Sequence, residues 1–220
     1  STIRLIREAS SNPWIRPADE ECSQGSLLLA PGERLGVADI GRASSCGISH
    51  VNVHRRPQIG VLVTGDELVP PGEERSNGAI WESNSTLIRG MLERLGYPAV
   101  ECRLVADECH LLKQAILDLA ASCDVIVSTG GVSAGDSDWI RPLMQELGQV
   151  EFWKLFLKPG RPFAFGWVGD AVPLFGLPGN PVAATITALQ LLWPALQILE
   201  GQQNPELLPR VHVHLATPYR

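Results

Sequence analysis

From residue 58 onward, short apolar runs alternate with stretches of helical periodicity. The first run, 59–63 (IGVLV), is apolar at every position, as expected of a strand that is covered on both faces. Further strands are expected at 99–105 and 125–127, with one-sided apolar helices between them. Strands separated by helices predict a mainly parallel sheet with helices on both faces, which is a three-layer α/β fold.

The same alternation continues to residue 199. Asn84 is expected to cap a helix that ends at Gly96. Further strands are expected at 150–157, 162–167 and 172–175, and further helices at 111–119, 138–147 and 181–199. The strands 162–167 and 172–175 are expected to pair across the turn Gly169-Asp170. Pro194 should bend the last helix.

The two ends of the chain differ from this pattern. Residues 1–56 start polar and contain an expected helix at 37–46 and an expected strand at 50–54, so we interpret them as the remnant of a small β-rich domain. The main α/β domain is assigned to 57–203. Residues 204–220 are assigned to the truncated start of a C-terminal β-domain, because 210–215 alternates apolar and polar side chains. The chain is therefore expected to be a section of a longer protein.

Composition argues against two classes of function. The net charge is −6, and no run of Lys and Arg exceeds two residues, so a nucleic-acid surface is not expected. The longest apolar stretch, 183–199, is interrupted by polar residues and falls short of the ~20 residues that span a bilayer. We expect no membrane association. Five cysteines without a CxxC pair indicate reduced thiols, and five scattered histidines show no metal-binding spacing.

Three glycine-rich loops follow apolar runs, at 64–68 (TGDEL), 130–138 (GGVSAGDSD) and 176–181 (GLPGNP). Loops at the carboxyl ends of parallel strands are where doubly wound sheets bind ligands. Glycine lets backbone N–H groups approach an anion, and a helix N-terminus favours negative charge. The loop 130–138 has more glycine and acid than a turn needs. The loop 64–68 could be an ordinary turn, and 176–181 could be a helix start capped by Asn180.

Two further places have a structural and a functional interpretation. The segment 158–162 (KPGRP) holds two cations beside a glycine, which suits clamping a phosphate or oxyanion, although surface cations are usually only solvated. Asp107 could be a helix N-cap or a ligand contact. Ser133 has no basic partner nearby in sequence, so acyl transfer is disfavoured. Together the residues favour a phosphorylated ligand with carboxylates and a metal around it.

Six segments in this order resemble the molybdopterin molybdenumtransferase family, called MoeA in bacteria and the gephyrin E domain in animals. They are TGDEL, Asn84, Asp107, GGVSAGDSD, FWKLFLKPGRPFAFG (152–166) and GLPGNP. The resemblance extends over about 59–201 and implies a MogA-like main domain. It also implies a transferase that takes adenylylated molybdopterin and molybdate, releases AMP and yields molybdenum cofactor, with Mg²⁺ as the divalent metal.

The resemblance assigns roles to particular residues. The catalytic set falls on Glu67, Asp107, Asp138, Lys154 and Lys158, and the three acids would also hold the metal. The backbone N–H groups of three glycines would hold the phosphates (Gly130, Gly131 and Gly179). The full set expected around the molybdopterin ligand comprises Thr64, Gly65, Asp66, Asn84, Gly130, Gly131, Ser133, Gly135, Asp136, Pro159, Gly160, Arg161, Pro178, Gly179 and Asn180.

The resemblance also implies a cytoplasmic homodimer, and a molybdopterin adenylyltransferase is the expected partner. In relatives, another subunit's N-terminal part completes the cleft. Two other classes of function stay open. The same domain could serve a molybdopterin adenylyltransferase or a nucleotide-pyrophosphate hydrolase, and gephyrin also serves as a non-enzymatic scaffold.

Overall fold

The computed structural model describes residues 2–4, 6, 14–98, 100–132, 138–214 and 216–217. The chain forms two compact units, Ser1–Val51 and Asn52–Arg220. In the first unit, helix α1 (Val37–Ser45) follows Gly36, whose N–H donates to the Asp39 carboxylate at 2.9 Å. This bond satisfies one of the N–H groups that a helix N-terminus leaves unpaired.

The second unit is built on a six-stranded sheet. Its strands are β1 (Ile59–Thr64), β4 (Val100–Val105), β5 (Val125–Thr129), β6 (Gly148–Trp153), β7 (Ala164–Val168) and β8 (Val172–Leu177). A separate parallel pair consists of β2 (Leu68–Val69) and β3 (Ile80–Trp81). The helices are α2 (Asn84–Arg94), α3 (Cys109–Ser122), α4 (Ile140–Leu147), α5 (Pro181–Thr187) and α6 (Trp193–Leu199). The expected alternation of strands and helices is confirmed.

The strand order in the large sheet is β4-β1-β5-β8-β7-β6. Strands β4, β1, β5 and β8 are mutually parallel, whereas β7 runs antiparallel to both of its neighbours. The expected hairpin between β7 and β8 is present, with Gly169 in the left-handed region at φ 57°. The sheet is thus mainly parallel, as predicted.

Alternate side chains of the central strands enter two separate apolar cores, because successive strand residues point to opposite faces. Ile59, Val61 and Val63 of β1 pack on one face with α2, α5 and α6. Leu62 packs on the other face with α3 and α4. Two cores around one sheet give the three layers that the sequence predicts.

By length and composition alone, the last helical stretch, Pro181–Leu199, could cross a bilayer. A helix buried in a protein core meets the same two criteria. Its residues Ala184, Ala188, Leu192 and Leu196 are buried in the core. A π-helical segment, Ala188–Leu192, separates α5 from α6. Pro194 lacks the N–H that would continue the α-helical ladder, which explains why irregularity falls just before it.

Three local expectations are wrong. Residues 50–54 and 210–214 are described and form no strand, so neither a β-rich N-terminal segment nor a C-terminal β segment is present in the described residues. A strand needs a partner for its backbone groups, and alternation does not show that one exists. Asn84 is the first residue of α2 rather than its cap, which is Ser83. The domain boundaries at 56/57 and 203/204 stay a prediction.

Candidate active site at the carboxyl edge of the sheet

The carboxyl ends of the four parallel strands lie at one edge of the sheet. Register places Thr64 beside Val105, and Thr129 beside Leu177. The loops that follow these strands therefore emerge side by side. They contain the acids 66, 67 and 107 and the glycines 130, 131 and 179.

The acidic part of this edge is organised around Asp107, which lies just beyond the end of β4. Its carboxylate accepts a hydrogen bond from the Thr64 hydroxyl, and its backbone N–H donates to the Asp66 carboxylate at 3.0 Å. The N-cap of α3 is Glu108, so the N-cap interpretation of Asp107 is wrong. Thr64 and Asp66, both expected to contact the ligand, are bonded to Asp107, and their contact with the ligand stays a prediction.

The charge on Asp107 is disfavoured by its surroundings. Burial raises the pKa of this carboxyl above its ordinary value, and the negative charges of Asp66 and Glu67 raise that pKa further. The hydrogen bond from Thr64 opposes this shift. A cation bound beside Asp107 would favour its charged form.

Whether these acids fit Mg²⁺ depends on how many must converge. Across the described ranges, no three His, Cys, Asp or Glu side chains lie close enough to hold a metal ion. Mg²⁺ is commonly held by one or two carboxylates together with substrate phosphates and water. Glu67 and Asp107, on neighbouring loops, are oxygen donors of the right kind for that mode.

The central part of the edge is formed by close approach of two glycine loops. A side chain at Gly130 would place its Cβ 2.4 Å from the carbonyl oxygen of Thr64, and the backbone there has φ +90°. A Cβ on Gly179 would lie 3.6 Å from the Gly130 Cα. Only glycine fits at position 130 without moving the backbone. The Gly130 N–H donates to the Leu177 carbonyl at 3.3 Å, so it is already engaged.

Asn84 joins these two loops. Its side-chain amide donates to the Thr129 hydroxyl at 3.3 Å and to the Gly179 carbonyl at 2.8 Å. The residue is buried, with 7% of its surface exposed. Asn84 therefore connects the end of β5 to the loop after β8 by hydrogen bonds.

The GLPGNP loop leads directly into α5. The Asn180 side chain accepts from the N–H groups of Val182 and Ala183 at 3.1 and 3.2 Å, which makes it the N-cap. Pro178 is buried, whereas Gly179 is exposed. The helix-start interpretation of this loop is thus correct, and it leaves the exposed Gly179 next to a helix N-terminus.

The cationic part of the edge comes from a hairpin. Because β7 is antiparallel to β8, the segment that precedes β7 reaches the same edge as the loop that follows β8; Ala164 pairs with Gly176. The hairpin between β6 and β7 is closed by bonds from the Lys154 N–H to the Phe163 carbonyl at 2.8 Å and from the Leu155 N–H to the Arg161 carbonyl at 2.9 Å.

The side chains at the hairpin differ in burial. Lys154, Lys158, Pro159 and Arg161 are exposed, whereas Gly160 is buried. A Cβ on Gly160 would meet the Thr187 hydroxyl of α5 at 2.6 Å. The hairpin thus packs on α5 and leaves its cations in solvent.

Trp153 links this hairpin to the central loops. Its indole N–H donates to the Val132 carbonyl at 3.1 Å. The Lys154 ammonium lies 3.8 Å from the centre of the Trp153 ring, and the Arg141 guanidinium lies 4.2 Å from it. Trp153 and Arg141 were not predicted as site residues, because the only sequence signal is the position of Trp153 directly before Lys154.

Asp138 lies next to the same loops. It precedes α4 by two residues, and the first N–H of that helix, from Ile140, donates to the Gly131 carbonyl at 3.2 Å. Asp138 and Lys158 are therefore both placed at the carboxyl edge. Three expected ligand contacts, Ser133, Gly135 and Asp136, lie outside the described residues.

An edge that carries acids, glycine loops and lysines in succession suits a phosphorylated ligand, and comparison with known proteins agrees. The family model described as "Probable molybdopterin binding domain" matches residues 60–198. The chain belongs to the molybdopterin-binding domain family. Apart from Ile59, the first residue of β1, the match includes the four parallel strands of the large sheet and the loops of the carboxyl edge.

Individual members of the molybdopterin-binding domain family are also similar. The molybdopterin molybdenumtransferase of Haemophilus influenzae is 35% identical over 92% of this chain and 50% of its own length. Gephyrin of Dictyostelium discoideum is 29% identical over 85% of this chain and 30% of its own length. The chain spans about half the length, or less, of these relatives.

A solved structure agrees with the fold. The crystal structure of a MoeA molybdopterin biosynthesis protein from Pyrococcus horikosii superposes with a TM-score of 0.68 at 31% identity, over 80% of this chain and 44% of that one. The molybdopterin-binding domain family thus accounts for the three-layer architecture, as the sequence predicted.

Proposed function

We propose that this chain supplies the molybdopterin-binding domain of a molybdopterin molybdenumtransferase. In that role it binds adenylylated molybdopterin and molybdate, and AMP is released as molybdenum cofactor forms. The observation that carries the proposal is the order of the edge: Asp107 lies at one end, Gly130 and Gly179 lie in the middle, and the lysine hairpin lies at the other end. The relatives' name, molybdopterin molybdenumtransferase, supports transfer of molybdenum to molybdopterin. The adenylylated substrate and the release of AMP are what the family resemblance implies.

Lys154 and Lys158 are assigned to the oxyanions. Breaking the P–O bond that joins AMP to molybdopterin phosphate develops negative charge on phosphate oxygens, and fixed cations stabilise that charge. Both lysines are exposed at the hairpin, and Trp153 supports Lys154. Arg161 adds a third cation on the same hairpin.

Glu67 and Asp107 are assigned to the metal, in the mode that needs only two carboxylates, and Asp138 is assigned to orientation of the attacking group. Bound Mg²⁺ would neutralise charge on the phosphate oxygens. Thr64 and Asp66 hold Asp107 in place, so they also act through it. The N–H groups of Gly131 and Gly179 are assigned to the phosphates, with Gly179 beside the N-terminus of α5.

The setting of the reaction is part of the proposal. We place it in the cytoplasm, in a homodimer whose second subunit completes the cleft, downstream of a molybdopterin adenylyltransferase. The family resemblance implies this setting, and the five free cysteines of the described structure suit a reducing compartment.

The test follows AMP. The chain is incubated with adenylylated molybdopterin, Mg²⁺ and molybdate, and AMP release is measured by chromatography; binding of AMP and of molybdate is measured separately by calorimetry. Lys158→Ala and Asp138→Asn should each lower release by about 10²- to 10³-fold. The matched control is Lys113→Ala, since Lys113 of α3 pairs with Glu146 of α4 and belongs to none of the loops that form this edge.

The outcomes separate the alternatives. Unchanged AMP release in both variants contradicts the assigned residues, and absence of binding of both AMP and molybdate contradicts the proposed ligand. Consumption of ATP with molybdopterin indicates an adenylyltransferase instead. Hydrolysis of nucleotide pyrophosphates without molybdate indicates a hydrolase.

A further inference from the structure

Two cysteines far apart in sequence meet in the first unit. The Sγ atoms of Cys22 and Cys46 lie 3.6 Å apart, although 24 positions separate the residues. Cys46 is exposed and Cys22 is half-buried. A disulfide bond is about 2.0 Å long, so a modest rotation of the two side chains would close the gap.

The backbone on both sides of the pair is held by local bonds. Cys46 caps the C-terminal end of α1, and its N–H donates to the carbonyls of Arg42 and Ala43, both at 3.2 Å. Near Cys22, the Ser26 N–H donates to the Ser23 carbonyl at 3.0 Å. The Arg42 guanidinium also donates to the Leu28 carbonyl, which joins α1 to the segment after Cys22. The approach of the two sulfurs is therefore built into the local fold.

A metal site is the other use of paired thiols. Structural zinc is held by four Cys or His ligands. Within the part of the chain that the structure describes, no third His, Cys, Asp or Glu joins this pair closely enough to bind a metal ion with it. The geometry thus favours a bond between the two sulfurs.

We propose that Cys22 and Cys46 form a reversible disulfide, a redox modification site separate from the carboxyl edge. A peroxide oxidises the exposed Cys46 thiol to a sulfenic acid and releases one water. The Cys22 sulfur then attacks the Cys46 sulfur, the S–S bond forms, and the leaving hydroxide takes the Cys22 proton to give a second water. In a reducing cytoplasm the pair is a dithiol, and oxidation fastens residue 22 to the end of α1.

The test uses the full chain. It is treated with hydrogen peroxide under native conditions, free thiols are alkylated, and peptides are identified by mass spectrometry. We expect a Cys22–Cys46 cross-linked peptide that dithiothreitol reverses, while the buried Cys123 is recovered as a thiol after denaturation. In Cys46→Ser, Cys22 should be recovered as a free thiol.

A positional control checks that proximity is responsible. In the double variant Cys22→Ser, Ser23→Cys, the thiol moves by one residue, and we expect the yield of cross-linked peptide to fall at least severalfold. Circular dichroism verifies that each variant is folded. Recovery of Cys22 and Cys46 as separate oxidised or alkylated peptides overturns the proposal, as does an equal yield in the shifted variant. Stoichiometric zinc bound by the untreated chain with both thiols intact overturns it in favour of a metal site.

Discussion

Asn84 and Gly179, 95 positions apart in sequence, are joined by a hydrogen bond of 2.8 Å from the side-chain amide to the carbonyl oxygen. The same amide donates to the Thr129 hydroxyl. One buried side chain therefore fastens the start of α2 to the ends of two parallel strands. The side-chain oxygen of Asn84, Oδ1, is buried and has no hydrogen-bond partner among the described residues. The two bonds donated by the side-chain NH₂ group therefore fix the orientation of the amide.

Replacing Asn84 should loosen both loops. Asn84→Ala removes two buried hydrogen bonds and leaves the Gly179 carbonyl with one donor fewer, so we expect the free energy of unfolding to fall by about 1–3 kcal/mol. Urea denaturation measures it. Thr86→Ala, an exposed position in the same turn of α2, is the control and should change little. Equal midpoints for Asn84→Ala and the wild type would show that the amide does not support the loops.

Replacing two different glycines by alanine should change the stability of the fold in opposite directions. Gly130 has φ +90°, and Gly130→Ala would place a Cβ 2.4 Å from the Thr64 carbonyl oxygen. We therefore expect the free energy of unfolding to fall by about 1–3 kcal/mol. Gly90 lies inside α2, and a Cβ there would have no heavy atom within 4 Å. Gly90→Ala should therefore raise the free energy of unfolding by about 0.5–1 kcal/mol. Thermal denaturation of both variants checks the signs. A stabilised Gly130→Ala would contradict the close approach of the loops.

Asp107 should make folding less favourable as pH rises. Its pKa is raised, first by burial, above the ordinary 3.8, so the folded chain holds the proton more tightly than the unfolded chain. This contribution is full below pH 3.8 and is lost as pH rises through the raised pKa. Asp107→Asn keeps an acceptor for the Thr64 hydroxyl but has no carboxyl group to ionise. The free energy of unfolding of the variant should therefore rise relative to that of the wild type as pH rises through this window. Urea midpoints from about pH 3 to about pH 7 test this. A gain that is independent of pH would mean that the charge of Asp107 is not the cause.

Asp124 should show the opposite slope. The Arg55 guanidinium donates two hydrogen bonds of 2.5 Å to this carboxylate and holds its pKa below the ordinary 3.8. The stability it contributes is present above pH 3.8 and is lost as pH falls through the lowered pKa. Asp124→Asn should therefore be less stable than the wild type at neutral pH, and the difference should shrink in acid. The same urea series measures it, and a difference that grows in acid would reverse the assignment.

The sequence predicted the layered fold because its signals are local. The uniformly apolar run 59–63 and the one-sided helix patterns each report burial within a few residues. The wrong strands, at 50–54 and over the described residues 210–214, show the limit of such signals. Alternation of apolar and polar residues fits a single strand, but it does not show whether a second strand is available to pair with it.

The site was predicted in part. The alternation of strands and loops predicted that the glycine loops share one edge, and the topology of the sheet agrees with that placement. The lysines were assigned to that edge only through the family resemblance. The roles of individual side chains were harder to predict. Asn84 was expected to be a cap because caps are recognised from neighbours, whereas its partners lie at 129 and 179. The meeting of Cys22 with Cys46 is also a long-range contact, and the spacing gave no sign of it.

The reversed direction of β7 has a consequence for how a ligand enters. It brings the lysine hairpin to the end of the row of strand tips opposite Asp107, so carboxylates and lysines lie at opposite ends of that row. An elongated molecule with unlike groups at its two ends would then be favoured in one of its two orientations during approach. We expect long-range attraction to favour that orientation before any single contact forms.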